Sequence, residues 1–211
     1  MSLYYSLLLS IITQIITGII EFIALFIEVP PHFLILKQMM LLEVIVQFIE
    51  GTFYLYWLYN FKKISNITPK RYLDWTITTP VMLINLIFYM IFLRSDNDLV
   101  FFQVFNREFY VIITILILNW TMLLFGYLGE IGAIPIMLGV GLGFIPFLLY
   151  YYIIYKNYGS NELFFYFFVV WSLYGVVAIL PYKTKNMCYN ILDLFSKNFF
   201  GLFLTYLLLT S

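Results

Sequence analysis

The sequence contains few of the residues that form disulfides, metal sites or charged surfaces. Only 10% of its 211 residues are charged, with 11 acidic and 11 basic side chains, and it has one cysteine and one histidine. Cys188 cannot form an intrachain disulfide, and His32 cannot build a metal site unless several carboxylates lie near it. A net charge of zero provides no attraction for nucleic acid. We therefore expect no disulfide, no metal site and no nucleic-acid partner.

Apolar side chains are present in excess. Hydrophobic residues make up 64% of the chain and aromatic residues 22%, which is more than a soluble domain of this length needs for its core. Because a helix needs about 20 apolar residues to cross the hydrocarbon core of a bilayer, the chain has room for roughly seven spans. We expect an integral, multi-pass membrane protein whose solvent is the lipid bilayer. The N-terminal segment lacks the marks of a signal peptide and is expected to be the first span.

Prolines and polar stretches divide the chain into apolar blocks. Pro30 and Pro31 end the first block, and polar stretches at 60–70 and 94–98 flank the third. The segment 99–106 is apolar but too short to cross a bilayer, so we expect an interfacial strand or turn there. The prediction is an all-α membrane protein with a single domain over residues 1–211. Its seven helices are expected at about 3–26, 33–59, 72–93, 108–128, 131–155, 162–180 and 186–209.

Several ionisable side chains lie inside these predicted spans. Each costs on the order of 3 kcal/mol or more to insert, so each one suggests a function. Asp193 and Lys197 are four residues apart and share a helix face. One ammonium with two carboxylates, Asp74 and Asp193, makes a sensible buried cluster. Taken alone, such a cluster is equally consistent with a buried salt bridge that fixes helix packing.

The sequence around these charges resembles that of the microbial rhodopsins. Residues 71–80, Arg-Tyr-Leu-Asp-Trp-Thr-Ile-Thr-Thr-Pro, resemble the third-helix signature of that family. Residues 190–201, Asn-Ile-Leu-Asp-Leu-Phe-Ser-Lys-Asn-Phe-Phe-Gly, are similar to its seventh helix. Residues 171–174 resemble part of the family's sixth helix, and residues 122–130 resemble part of its fourth helix. Gly175 and Ala178 depart from the family, which usually has proline and tryptophan there. We expect the glycine to loosen the kink of the sixth helix and the alanine to leave a roomier pocket on that side.

The resemblance implies a seven-transmembrane helix bundle around all-trans-retinal, held covalently by Lys197 as a protonated Schiff base. Asp74 and Asp193 are then the counterions. Arg71, Thr78 and Tyr174 are expected to support them. The retinal pocket is expected at Trp75, Thr79, Met82, Met122, Gly126, Trp171 and Ala178. The basic residues of the loops are too evenly divided to orient the chain, and the family topology implies an N-terminus outside and a cytoplasmic C-terminus.

The cytoplasmic half of the predicted bundle indicates how the protein uses the absorbed light. Outward proton pumps of the family commonly have a carboxylic acid eleven residues after the counterion, and here that donor position is Asn85, which cannot donate a proton. A polar stripe about 10 Å long runs along the second span, and polar residues of the first span can face it. This pattern resembles the channelrhodopsins and, more closely, the first group of viral rhodopsins, which are light-gated cation channels. The expected ion path contains Ser10, Gln14, Glu43, Gln47 and Glu50.

We therefore expect a light-gated channel for monovalent cations or protons, without enzymatic activity. One alternative is an outward proton pump in which Glu43 is a relocated donor and Glu50 is a neutral core residue. Others are a photosensory rhodopsin that signals through a partner, and a structural membrane protein if Lys197 binds no chromophore. We expect Glu50 to lie away from the Lys197 amine and Glu21 to lie at the cytoplasmic end of its helix. The oligomeric state stays open, including a homo-oligomer.

Overall fold

The computed structural model describes residues 2–64, 66–95 and 97–211, and every regular element within those ranges is a helix. Ser65 and Asp96, in the predicted polar stretches 60–70 and 94–98, lie outside the described residues. A 3₁₀ turn, Pro31–Phe33, precedes α2, and a π-helical turn, Leu194–Asn198, joins α8 to α9. The helices are α1 Leu3–Ala24, α2 Leu34–Tyr59, α3 Thr68–Phe92, α4 Phe101–Arg107, α5 Phe109–Glu130, α6 Ile136–Tyr158, α7 Glu162–Ala178, α8 Tyr182–Asp193 and α9 Phe199–Leu209.

The predicted all-α class is confirmed. Six helical segments of the described chain are long and apolar enough to cross a membrane, and α7, with 17 residues, is a shorter seventh. The last of the six, Tyr182–Leu209, combines α8, the π-helical turn and α9. The third and seventh segments begin at 68 and 182, against expected starts of about 72 and 186. Pro69 and Pro181 explain this difference, because proline is well tolerated at the start of a helix.

The expectation of a strand or turn at 99–106 is wrong, because this segment forms the helix α4. Phe101 and Phe105, one turn apart, stack with ring centroids 6.2 Å apart. The N–H of Phe101 donates to Oε1 of Gln38 at 2.8 Å, which ties the start of α4 to α2. Val104 is buried. Side-chain packing on α2 therefore determines the conformation of a segment whose length alone allowed a strand.

Apolar side chains cover the outside of the bundle, as expected for a protein in lipid. Phe48, Phe102 and Tyr110 are 76%, 73% and 85% exposed. The helices α5 and α6 approach closely where both have small residues. A Cβ on Gly139 would lie 2.7 Å from the carbonyl oxygen of Phe125, so only glycine allows this approach. In the middle of the bundle, α3 is the most buried span, and it positions the site described next.

Candidate functional site

Lys197 lies in the π-helical turn at the centre of the bundle, and its side chain is almost completely buried. Its Nζ atom donates to Oδ2 of Asp74 at 2.9 Å and lies 3.4 Å from Oε1 of Glu50. Both carboxyl groups are fully buried. Two carboxyl groups from two different helices, α3 and α2, therefore face one amine.

This geometry corrects the expectation that Glu50 lies away from Lys197. Glu50 is seven residues beyond Glu43 on α2, which is two helical turns closer to the face of the bundle that bears the N-terminus. That step brings it to the depth of Lys197. Sequence spacing gives the position of Glu50 along its own helix, but the depth of α2 relative to the seventh span depends on packing.

Asp193 pairs with Arg71 instead of with Lys197. Oδ2 of Asp193 lies 3.1 Å from Nη1 of Arg71, and neither side chain is exposed. The hydroxyls of Tyr174 and Tyr54 donate to the two oxygens of Asp193, the former at 2.7 Å. Among the described residues, only Asp74 and Glu50 have a carboxylate oxygen within 4.0 Å of the Lys197 Nζ atom. The support of Asp193 by Tyr174 and Arg71 matches the expectation, but a direct contact of Asp193 with the amine does not form.

Arg71 is surrounded by partners that the sequence reasoning missed. Its Nε donates to Asn186 at 3.0 Å, its Nη1 to Tyr54 at 2.9 Å, and its Nη2 to Asn190. The guanidinium carbon also lies 4.9 Å from the ring centroid of Trp57. The sequence does contain a signal for the two asparagines. Asn186, Asn190, Asp193 and Lys197 recur at intervals of three and four residues, which places them on one face of the last span.

The hydroxyl of Thr78 has a different role from the expected one. It donates to the backbone carbonyl of Asp74, one turn earlier, at 3.0 Å and does not bridge to a carboxylate. Threonine in a buried helix often satisfies its hydroxyl in this way. Oδ1 of Asp74 has no hydrogen-bond partner among the described residues. Asp74 is therefore held mainly by its contact with Lys197.

An apolar cavity ends at Lys197. All seven residues predicted for the retinal pocket line it, together with Tyr72, Leu123, Gly139, Val140, Gly143, Phe144, Phe147, Tyr174, Gly175, Tyr189, Ser196 and Lys197. Phe144 of α6 occupies the space beside Gly175, because a Cβ on Gly175 would lie 2.7 Å from that ring. The cavity combines aromatic walls, small residues and a buried amine. This chemistry fits a long apolar molecule that carries an aldehyde.

Buried polar residues continue from Lys197 toward the face that bears the C-terminus. The amide of Asn85 donates to Oε2 of Glu43 at 2.9 Å, so these two predicted residues do meet. Gln47 donates to Oε1 of Glu21 at 3.1 Å. Glu21 lies in the last turn of α1, the expected end of the helix, and it is completely buried. Gly201 makes this burial possible, because a Cβ there would overlap the carboxylate of Glu21.

Polar residues also continue toward the face that bears the N-terminus. Ser10 donates to the carbonyl oxygen of Asn190 at 3.1 Å, and Asn190 donates to Ser6 at 2.9 Å. Gln14 is buried, and neither of its amide atoms has a partner in the part of the chain that the structure describes. We call the whole set the polar column: Ser6, Ser10, Gln14, Thr17, Glu21, Glu43, Gln47, Glu50, Tyr54, Thr68, Arg71, Asp74, Asn85, Asn186, Asn190, Asp193, Lys197 and Asn198.

Comparisons with known proteins agree with this geometry. A sequence model of the bacteriorhodopsin-like protein family matches residues 2–211. No curated protein matches the chain. Among solved structures, the viral rhodopsin OLPVRII is 32% identical and has a TM-score of 0.86, and the match covers 96% of this chain and 95% of that one.

Two solved structures of lower identity have the same fold. The blue light-absorbing proteorhodopsin from Med12 is 22% identical with a TM-score of 0.80, and the match covers 99% of this chain and 96% of that one. Xanthorhodopsin, described as a light-driven ion pump with a dual chromophore, is 17% identical with a TM-score of 0.76, over 98% and 91% of the two chains. At these identities the likeness shows the fold alone.

Proposed function

Because the chain belongs to the family of bacteriorhodopsin-like proteins, in which a lysine binds retinal as a Schiff base, we propose that light opens a cation-selective path along its polar column. The chain is thus a retinal-binding, light-driven membrane protein of the bilayer. Its narrower resemblance to light-gated cation channels stays a prediction. We propose ion transport without enzymatic turnover, and a topology with the N-terminus outside.

Lys197 is the residue that would hold the retinal, because its amine lies at the end of the apolar cavity. Retinal supplies a change of shape on absorbing light. The chain positions the charges around the linked nitrogen: Asp74 lies on one side and Glu50 on the other. A positive nitrogen is stabilised in a buried site only when anionic groups are close. A movement at Lys197 therefore changes contacts with two helices at once.

The single observation that carries the channel proposal is the succession of buried polar groups on both sides of Lys197. Cations need polar ligands over the whole membrane depth, since a bare ion in hydrocarbon is very costly. The polar column contains more carboxyl groups than cationic groups. Glu21, Glu43, Glu50, Asp74 and Asp193 are all buried, whereas its cationic side chains are Arg71 and Lys197. Carboxyl groups along a path favour cations over anions.

We propose that the polar column is closed in this conformation at three levels, each of which is crossed by hydrogen bonds or ion pairs. Arg71 and its four hydrogen-bond partners close it on the side of the N-terminus. The contacts of Lys197 with Asp74 and Glu50 close it at the centre. On the side of the C-terminus, Glu21, Gln47 and Asn198 are joined by hydrogen bonds. Conduction requires that light loosen all three, and the central closure contains the lysine that binds retinal.

Whole-cell recording under illumination tests the proposal. We expect a photocurrent whose direction reverses with membrane voltage and whose reversal potential follows the cation gradient. The Lys197→Ala protein, which cannot form the linkage, is the control and should give no photocurrent. A current that stays outward at every voltage, with acidification of the medium, would contradict the channel.

An outward proton pump is the second candidate, and the contact between Glu43 and Asn85 favours it. The amide at the usual donor position holds a carboxyl group from α2 at 2.9 Å, so Glu43 can act as the proton donor from the neighbouring helix. Glu43→Gln distinguishes the two. In a pump this change should strongly slow reprotonation and reduce an outward current. In a channel the reversing current should persist with altered permeability.

A further inference from the structure

One turn of the last span departs from α-helical hydrogen bonding, and it contains Lys197. At the end of the π-helical turn, the N–H of Phe199 donates to the carbonyl oxygen of Leu194, five residues earlier. In an α-helix the same N–H would donate to Phe195, four residues earlier. The π-helical turn therefore removes the regular backbone donor from the carbonyl oxygen of Phe195.

Tyr166 of α7 supplies a donor to this carbonyl. Its hydroxyl donates to the carbonyl oxygen of Phe195 at 2.7 Å. Its ring packs against that of Phe199, with centroids 4.7 Å apart. Phe195 is 54% exposed at the surface of the bundle, where lipid offers no hydrogen bonds. A carbonyl without a donor is unfavourable there, so one tyrosine contacts the π-helical turn at both ends.

We propose that Tyr166 is a positioning residue for Lys197: its hydroxyl holds the Phe195 carbonyl and so stabilises the π-helical turn that directs the amine between Asp74 and Glu50. A π-helical turn accommodates one residue more than an α-helical turn. Its loss would rotate α8 relative to α9 by about 100°, the angle of one residue. Lys197 would then lose Asp74, or Asp193 would lose Arg71.

The inference rests on the retinal linkage at Lys197 and does not depend on whether the protein conducts. Tyr166→Phe removes the hydroxyl and keeps the ring that packs against Phe199. Tyr152→Phe is the matched control, because Tyr152 is a lipid-facing tyrosine that is 60% exposed. With retinal bound, Tyr166→Phe should shift the absorption maximum. It should also raise the rate of bleaching by hydroxylamine roughly fivefold, the factor that corresponds to one ordinary hydrogen bond. The control should match the wild type in both.

Thermal stability separates positioning from a purely structural role. A Tyr166→Phe protein that melts earlier but keeps the wild-type spectrum and bleaching rate overturns the proposal, and so does one that matches the wild type throughout. A second pair, Tyr166→Gln and Tyr166→Met, compares side chains with and without a donor in case the phenylalanine variant does not fold. The spectrum of Tyr166→Gln should lie closer to that of the wild type than the spectrum of Tyr166→Met does. Identical spectra for these two variants overturn the proposal. If the wild-type protein binds retinal but gives no reversing photocurrent, only the proposed channel fails, because the spectrum and the bleaching rate still test the role of Tyr166.

Discussion

At the scale of single residues, Lys197 is held between two carboxyl groups of different helices. Asp74 lies at 2.9 Å and Glu50 at 3.4 Å from its Nζ atom. Asp193 belongs to a separate cluster with Arg71, Tyr54 and Tyr174. The three acids therefore differ in what they balance: two face the amine, and one neutralises a buried guanidinium. Substitution of each by its amide separates these roles, because the shape of the side chain is kept.

The first prediction concerns Glu50. Glu50→Gln removes a carboxyl group beside the Lys197 nitrogen and should move the absorption maximum of the pigment to longer wavelength, because a nearby anion stabilises the positive nitrogen. Glu43→Gln is the matched control, since Glu43 contacts Asn85 and lies outside the ion pairs of Lys197. Visible spectra of both purified proteins measure the effect. Equal shifts in the two variants would contradict the assignment of Glu50.

The second prediction concerns Asp193. Asp193→Asn leaves the buried Arg71 without its ionic partner, which should lower the free energy of unfolding by about 3 kcal/mol. Its effect on the absorption maximum should be smaller than that of Asp74→Asn, because Asp74 contacts the amine directly. Thermal denaturation and visible spectra of the two variants give both quantities. A larger spectral shift for Asp193→Asn would mean that Asp193 is the main counterion.

At the scale of the helices, hydrophobic length predicted where the spans lie, but it could not predict their irregular turns. The π-helical turn depends on Tyr166, almost thirty residues away in sequence. The helix α4 depends on its packing against α2. Neither contact leaves a periodic signal in the segment itself. Three polar-column residues of α2 were predicted because Glu43, Gln47 and Glu50 share one helix face. The burial of Glu21, in contrast, depends on the neighbouring last span.

The third prediction concerns the close approach of α1 and α9. Gly201→Ala places a Cβ where the carboxylate of Glu21 lies, so Glu21 must move and its bond with Gln47 is strained. We expect the free energy of unfolding to fall by about 1 to 3 kcal/mol. Gly51→Ala is the control, because nothing lies within 4 Å of its added Cβ. If thermal denaturation shows equal stability for the two variants, the burial of Glu21 against Gly201 is incorrect.

At the scale of the whole molecule, the chain is apolar outside and polar along its centre. Composition and span length were enough to predict a membrane bundle, and motifs in the third and seventh spans were enough to predict the family and the cofactor. The contacts among the buried polar residues were harder to predict from the sequence. Asn186 and Asn190 bind Arg71 across the bundle, and a single sequence contains no direct record of which helices are neighbours.

The central claim is that Lys197 binds retinal inside this cavity, and visible absorption of purified protein tests it most directly. The protein is prepared without chromophore and incubated with all-trans-retinal, beside the Lys197→Ala protein as control. We predict that the wild-type protein gains a visible absorption band and that the Lys197→Ala protein stays colourless although it folds. A wild-type protein that stays colourless, or an equally coloured Lys197→Ala protein, would contradict the account.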